Sequence, residues 1–318
     1  MTRQILVFLV RRLGMTVLLL LALSLLVYGL MFLAPGDIAR NLLGTRNATP
    51  QALDQVRAQY HLDKPFLWQY THWLSHALTG DFGTSIRTGA PVGRMMRERL
   101  GLTAAVSGLA FLLSVLAAVP AGVVAALHRG EWLDRALVGW SVVGISAPGF
   151  AVGLILLYVF AVGLGWFPVY GTGSGFLDSL WHLVLPAVTL ALGLGAFVVK
   201  LTRAAVAREL DEDYVVFARS RGLGRARVLG IVLRNAAVPV LTSLALMVGY
   251  LFGGTLLAEV TFALPGLGAL LEQSVLFKDF PVVQALTVVV AVLISLTALL
   301  ADLAYLTVDP RIRNRMAR

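Results

Sequence analysis

The sequence predicts an all-α polytopic membrane protein with six transmembrane helices, and three observations carry that prediction. Of 318 residues, 58% are hydrophobic and only 14% are charged. Mean hydropathy is +0.83. The charged residues are spaced so as to leave six uncharged apolar runs, each of roughly 18 to 28 residues, enough for a helix to cross about 30 Å of hydrocarbon. A soluble core carries more charge and shorter apolar runs than this.

Taken in order, a short N-terminal segment, 1–12, holds Arg3, Arg11 and Arg12. The first span follows from Leu13 to Gly36. It is longer than the apolar region of a signal peptide, and Pro35-Gly36-Asp37 offers no small-x-small cleavage site, so it is read as a retained span. A polar segment over 37–99 comes next. The second span runs from Leu100 to Leu127 and the third from Ala136 to about Leu164, with Pro148-Gly149 positioned to kink it. The fourth spans His182 to Val199, the fifth Asn235 to Ala258 and the sixth Phe280 to Ala301, with a tail over 309–318. The span core therefore occupies 100–308 and encloses a long polar loop over 204–238.

Orientation follows from Lys and Arg near the spans. With the N-terminus inside, the cytoplasmic side collects the three N-terminal arginines, Arg129 and Arg135, the eight basic residues from Lys200 to Arg234, and Arg311, Arg313, Arg315 and Arg318. The short outer loops hold only Lys278. Both termini are thus expected in the cytoplasm, and 37–99 outside it. This bias also accounts for the formal charge of +9, so a nucleic-acid role is not called for.

Several chemistries lack their residues. None of the three lysines, Lys64, Lys200 and Lys278, follows glycine, so no phosphate-binding Gly-Lys-Ser/Thr loop exists. The spans carry almost no ionisable groups of the kind an ion-coupled carrier uses; Glu259 and Asp302 read as interfacial or helix-end charges. Zero cysteines exclude disulfides and thiolate metal sites. His72 and His76 have the spacing of helical metal ligands, but equally that of a polar helix face beside Trp68, Tyr70 and Trp73. No nucleophile elbow or paired-histidine zinc signature is present.

The loop between the fourth and fifth spans has its own pattern. Tyr214, Phe217, Ala218 and Arg221 fall at i, i+3, i+4 and i+7, and Leu229, Val232, Leu233 and Ala236 repeat the spacing after Gly222-Leu223-Gly224. Two short helices about a glycine break are expected, with Glu209, Asp211, Glu212 and Asp213 favouring the N-terminal end of the first. Such an element suits a basic face resting on anionic headgroups or a lever docked on a partner.

The loop resembles the coupling loop of ATP-binding cassette (ABC) importer permeases in their peptide-transporter branch. The shared residues are Asp213-Tyr214, Ala218-Arg219, Gly222-Leu223, Arg227-Val228, Leu233 to Ala236, and Pro239. The proline stands further from the glycine than in most such permeases, and only Ala218 and Gly222 fit the first half of the generic pattern. Elsewhere "RRL" at Arg11, "PGD" at Pro35, "HLDKPFLWQY" at His61, "GDFGTSIRTGAPV" at Gly80, "PGLG" at Pro265, "FPVVQ" at Phe280 and "DPRIR" at Asp309 are similar to the first permease of dipeptide, oligopeptide and nickel importers. The resemblance implies a type I ABC importer permease with an extracytoplasmic cap at 37–99. It also implies a second homologous permease, two ATPase subunits that bind ATP and Mg in this chain's stead, and an extracytoplasmic substrate-binding protein. Asp213, Tyr214, Ala218, Arg219, Gly222 and Leu223 become the candidate ATPase contacts. Aromatic residues Tyr60, Phe66, Trp68, Tyr70, Trp73 and Phe82 are then either a face for the binding protein or an interfacial belt. Dipeptides or oligopeptides are the leading substrate, with nickel chelates, glutathione and oligosaccharides sharing the architecture; a stand-alone secondary transporter is the contrasting class.

Overall fold

The computed structural model describes residues 2–33, Ala39, 49–59 and 61–308. Pro35 to Asp37, Tyr60, Asp309 to Arg313 and the tail over 309–318 lie outside the described residues, as does the side chain of Asp302. Eleven helices are used below: α1 (Thr2–Leu33), α2 (Pro50–Gln59), α3 (Phe66–Leu78), α4 (Val92–Leu127), α5 (Trp132–Ser146), α6 (Gly149–Leu156), α7 (Phe176–Leu210), α8 (Asp213–Ser220), α9 (Arg225–Thr261), α10 (Leu267–Leu276) and α11 (Phe280–Val308). A π-helical stretch, Leu157–Gly163, continues α6. Among the described residues the one β feature is an isolated bridge between Thr84 and Pro91.

Among the described residues five helices are long and apolar enough to cross a membrane: α1, α4, α7, α9 and α11. The sixth span is a broken one. Helix α5 and the α6–π segment meet at a 106° bend, at the predicted Pro148-Gly149 position. The cause is local: Ala147, preceding proline, is extended at ψ 130°, and Pro148 has no N–H to continue the ladder. The helices also outrun the predicted spans. Helix α4 begins at Val92 rather than Leu100, so Arg94, Arg97 and Arg99 ride on its first turns, and α7 extends from Phe176 to Leu210.

The chain divides into two compact units, the first comprising Leu6–Thr103 and Pro265–Ser295. Its α1–α3 contact is aromatic. Tyr28 packs against Phe66, Tyr70 and Trp73 with ring centroids 5.6–5.9 Å apart, and Ser24 Oγ lies 2.8 Å from Tyr70 Oη. Phe66, Tyr70 and Trp73 thus face α1, whereas Trp68 stays exposed. A second cluster joins Val92 and Met96 of α4 to Leu267 and Leu270 of α10 and Val282, Ala285 and Leu286 of α11. Buried Asp279 accepts hydrogen bonds from Ser85 Oγ at 2.5 Å and the Ile86 amide at 3.1 Å, which ties the loop before α4 to the α10–α11 junction.

On α3, Trp68 stacks on His72 at 4.9 Å, with His61 edge-on at 5.1 Å and His76 at 4.4 Å. Among the described residues no group of His, Asp and Glu could hold a metal ion. Desolvation, then the neighbouring His76 and His61, hold the His72 imidazole below its ordinary value of 6.5.

The second unit is built on Ala104–Leu264, with α7 at its centre. In α7 56% of the apolar window is enclosed by protein, against 22% in α9. Close approach depends on small residues. A Cβ on Gly122 would come within 2.6 Å of Thr202 Cβ and 2.8 Å of the Val199 carbonyl oxygen, and one on Gly144 within 2.7 Å of Ala196 Cβ. Glu259, expected as an interfacial charge, stands near the end of α9 but is fully buried.

Two outcomes are expected. Gly122→Ala should destabilise the chain by about 1–3 kcal/mol through overpacking, seen as a lower melting temperature than Gly108→Ala, where a Cβ meets nothing within 4 Å. The depressed His72 pKa means that, as pH falls through the ordinary histidine range, the unfolded chain binds more protons than the folded one. Stability of the first unit should therefore fall as pH drops from about 7.5 to about 5. Thermal unfolding followed by tryptophan fluorescence should show this, with a smaller drop in His72→Gln.

Candidate functional site

The stretch between the two central helices of the second unit forms the site. Helix α7 ends at Leu210, and Asp211-Glu212 turn the chain into α8, with Glu212 extended at the N-cap. After eight residues α8 closes in a Schellman motif. The Leu223 amide donates to the Ala218 carbonyl at 3.2 Å and the Gly222 amide to the Arg219 carbonyl at 2.9 Å. Gly222 sits at φ +77°, the left-handed conformation that this cap requires and that a Cβ disfavours. Gly224 then caps α9.

One face of this hairpin is anchored. Val215 is buried with Val206 and Ala207 of α7, Ala126 of α4, and Val228, Val232 and Ala236 of α9, and Tyr214, Ala218 and Leu223 pack on the same cluster. Tyr214 Oη donates to Glu209 Oε2 at 2.8 Å, and burial pushes its phenol pKa up. The base is clamped by ions. Arg203 makes a fork with Asp134, both bonds 2.8 Å, and Asp134 also accepts from the Gly130 amide at 2.9 Å. Arg129 pairs with Asp211 at 2.7 Å, so the α4–α5 turn is tied to the approach to α8. Bidentate Arg–carboxylate geometry fixes orientation as well as distance.

The opposite face is open. Val216 and Phe217 are 65% and 66% exposed, and Asp213, Arg219, Ser220 and Arg221 are exposed beside them. A large aromatic thus projects from a well-anchored short helix, with Arg219 and Arg221 exposed beside it. Of the six candidate contacts, Asp213 and Arg219 are on this open face, Tyr214, Ala218 and Leu223 serve the internal anchor, and Gly222 makes the turn. Phe217, although it shares the helical spacing of Tyr214 and Ala218, points outward; Val215-Val216-Phe217 sweeps too wide an arc of an eight-residue helix for all three to be buried. One correction follows. The second short helix is instead the first part of continuous α9, which holds Pro239 within it and buries Val228, Val232 and Ala236, leaving Leu233 partly exposed. Asp134 and Arg203 were missed because each reads in sequence as an isolated charge at a span end, and Asp211 was read only as one of the acids before α8, not as the partner of Arg129.

Membrane-length apolar helices, one bent helix pair and a short, anchored helix on the polar loop make this a polytopic membrane protein. The family model described as binding-protein-dependent transport system inner membrane component matches residues 118–314, and the model of the corresponding N-terminal region matches residues 5–107. The chain belongs to this family, that of ABC importer permeases. It is 38% identical, over 96% of its length and 99% of the relative's, to a "probable peptide ABC transporter permease protein" of Sinorhizobium fredii. It is also 38% identical to the glutathione transport system permease protein GsiC of Escherichia coli K12, covering 92% of this chain and 94% of that one. Among solved structures, the MetNI methionine ABC transporter in inward-facing conformations superposes with a TM-score of 0.58 at 16% identity, over 68% of this chain and 96% of that chain. That match shows a shared fold.

Gly222→Val should strain the cap by about 1–2 kcal/mol while Gly222→Asn is tolerated, since asparagine enters the left-handed region readily. Protease cleavage between α8 and α9 should accelerate in the valine variant alone.

Proposed function

We propose that this chain is one half of the translocation pathway of an ATP-driven importer of dipeptides or oligopeptides. It pairs with a second homologous permease in the bacterial cytoplasmic (inner) membrane, with both termini in the cytoplasm. Two ATPase subunits supply ATP and Mg, and an extracytoplasmic binding protein delivers the substrate. The chain contains no Gly-Lys-Ser/Thr loop, so its energy comes from elsewhere.

The observation that carries this reading is the α8 hairpin: one face locked into α4, α7 and α9, the other offering Phe217 and Arg219. A helix held in that way transmits a push rather than absorbing it. Closure of the ATPases on α8 would tilt α7 and α9 together, because Val215 contacts both through one cluster. Asp213 and Arg219 would give polar docking, Val216 and Phe217 the apolar plug, and Tyr214, Ala218, Gly222 and Leu223 the rigidity. Peptides are favoured as cargo by the near full-length similarity to the peptide permease; glutathione, itself a modified tripeptide, is the neighbouring alternative.

Proteoliposomes containing the co-purified assembly, with binding protein and labelled di- and tripeptides outside, should accumulate peptide only with ATP at the ATPase face. Phe217→Asp should cut uptake at least about tenfold and release the ATPases during purification. Glutathione or nickel-chelate uptake without peptide uptake would move the cargo; unchanged ATPase retention in Phe217→Asp would remove α8 as the contact.

A further inference from the structure

In the second unit, the loop over 164–175, between the π-helical stretch and α7, and the first turns of α7 carry an exposed apolar surface. Tyr170, Phe176 and Leu177 are 77%, 81% and 78% exposed, and Trp166 and Trp181 are half-exposed. No Asp, Glu, Lys, Arg or His occurs from Ala136 to Leu177. The loop is nevertheless fixed in place. The Trp181 indole donates to the Trp166 carbonyl at 3.1 Å, and Phe167 stacks on the Trp181 ring at 4.5 Å. The Ser174 amide donates to Asp178 Oδ2 at 2.7 Å. Gly173, at φ +70°, lies so close to α7 that a Cβ would come within 2.7 Å of the Asp178 carbonyl carbon. These rings are therefore held outward by a built loop and cannot turn in to bury themselves.

Position along α7 gives the surface a depth. Lys200 is exposed on the same helix, and Trp181 stands 19 residues before it, roughly 28 Å at the helical rise. That is about the thickness of the hydrocarbon layer. With Lys200 at one face of the membrane, Trp181 reaches the other, and its contacts hold Trp166 and Phe167 at that level. A Cβ on Gly171 would lie 3.7 Å from the His182 ring, which brings neighbouring Tyr170 to the same level. Phe176 and Leu177 stand about one turn further out, within the headgroup layer. Towards Lys200 the apolar surface continues as exposed Ile155, Tyr158 and Val162 on α6 and the π-helical stretch. A face that docks a soluble protein carries a polar rim, whereas this segment supplies no charge before Asp178. Trp and Tyr rings with polar tips, at the end of a spanning helix, suit the boundary between headgroups and hydrocarbon. We propose that 164–181 is an interfacial anchor that seats Trp166, Tyr170, Phe176 and Trp181 among the lipid headgroups of the membrane face opposite Lys200. The inference needs only the polytopic class and stands apart from the choice of cargo. Under the lever reading above, an anchor here would hold the far end of α7 at constant depth, so that a push through α8 rotates the helix rather than sliding it along its axis.

The chain has no cysteine, so Tyr170→Cys and Phe176→Cys each give it one site for a bimane fluorophore. The full-length chain, with the subunits that co-purify, is placed in nanodiscs of phosphatidylcholine brominated either near the headgroup or near the end of the acyl chain. Bromine-free lipid is the reference, and the unsubstituted chain treated alike gives the background. Both side chains are exposed, so both variants should melt with the parent. Both labels should lose fluorescence in brominated lipid, and lose more of it when the bromine is near the headgroup. Absence of quenching at either position, or stronger quenching by bromine at the chain end, overturns the anchor. So does a label at position 170 that bromine leaves untouched and that added binding protein shields from aqueous iodide, which would make the loop a protein-docking face. None of these outcomes depends on whether peptides are carried.

Discussion

Hydrocarbon supplies no hydrogen-bond partner, and that constraint organises the protein. Every backbone group at membrane depth has to be satisfied within the chain, so the spans are helical and their irregularities have internal remedies. The clearest is the third span. Proline removes one donor at position 148, and the chain answers with a 106° bend rather than an open gap. Ala147 still donates to the Val143 carbonyl at 2.8 Å before the break, and Ala151 and Val152 donate to the Pro148 carbonyl after it. The π-helical stretch beyond is a further adjustment of the same ladder. Side-chain hydroxyls follow the same rule: Ser141, Thr189 and Thr255 each return a hydrogen bond to the carbonyl four residues earlier.

The constraint also explains where charge is spent. Asp134 is nearly inaccessible, yet it sits one turn into α5 and receives Arg203 in a fork together with the Gly130 amide. Removing either member would strand the other in a poorly solvated place, so the pair acts as a fixed strut between α5 and α7. Arg129 and Asp211, both well exposed, add little stability of their own; their value is positional, since they align the α4–α5 turn with the start of α8. Apolar packing does the remainder. Val215 enters a cluster drawn from three long helices, and the Schellman turn at Gly222 prevents α8 from fusing with α9 into a single rod.

Much of this was legible in the sequence because hydropathy and chain punctuation are one-dimensional signals. The six apolar runs, the Pro148-Gly149 break and the glycine turn at Gly222 each follow from local chemistry. What was not legible depends on which neighbour a side chain meets. Phe217 shares a helical stripe with Tyr214 and Ala218, and only the geometry of the cluster shows that Val215 takes the inner position. Likewise Tyr28 gives no sign in sequence that it is the aromatic hub for Phe66, Tyr70 and Trp73, some forty residues away. Helix ends were misplaced for a related reason: charged residues such as Arg94 and Arg208 stop a hydropathy run, but they do not stop a helix, which continues beyond the apolar region at the cost of nothing more than solvated side chains.

The two units therefore solve different problems with the same secondary structure. In Ala104–Leu264 the small residues Gly122, Gly144 and Ala196 let backbones approach, and the exposed polar hairpin is held by packing on its inner face. In the first unit the contacts are made by large aromatic and polar side chains: Tyr28 against α3, Asp279 holding Ser85 and Ile86, and Arg87 lying 3.8 Å over the Phe277 ring. Both kinds of packing leave space, about 460 Å³ beside Tyr28 and Phe82 in the first unit and about 430 Å³ among Gly144, Gly149, Gly193 and Gly254 in the second. Void volume is therefore set by which helix faces are left unfilled, not by the size of the residues that hold the helices together.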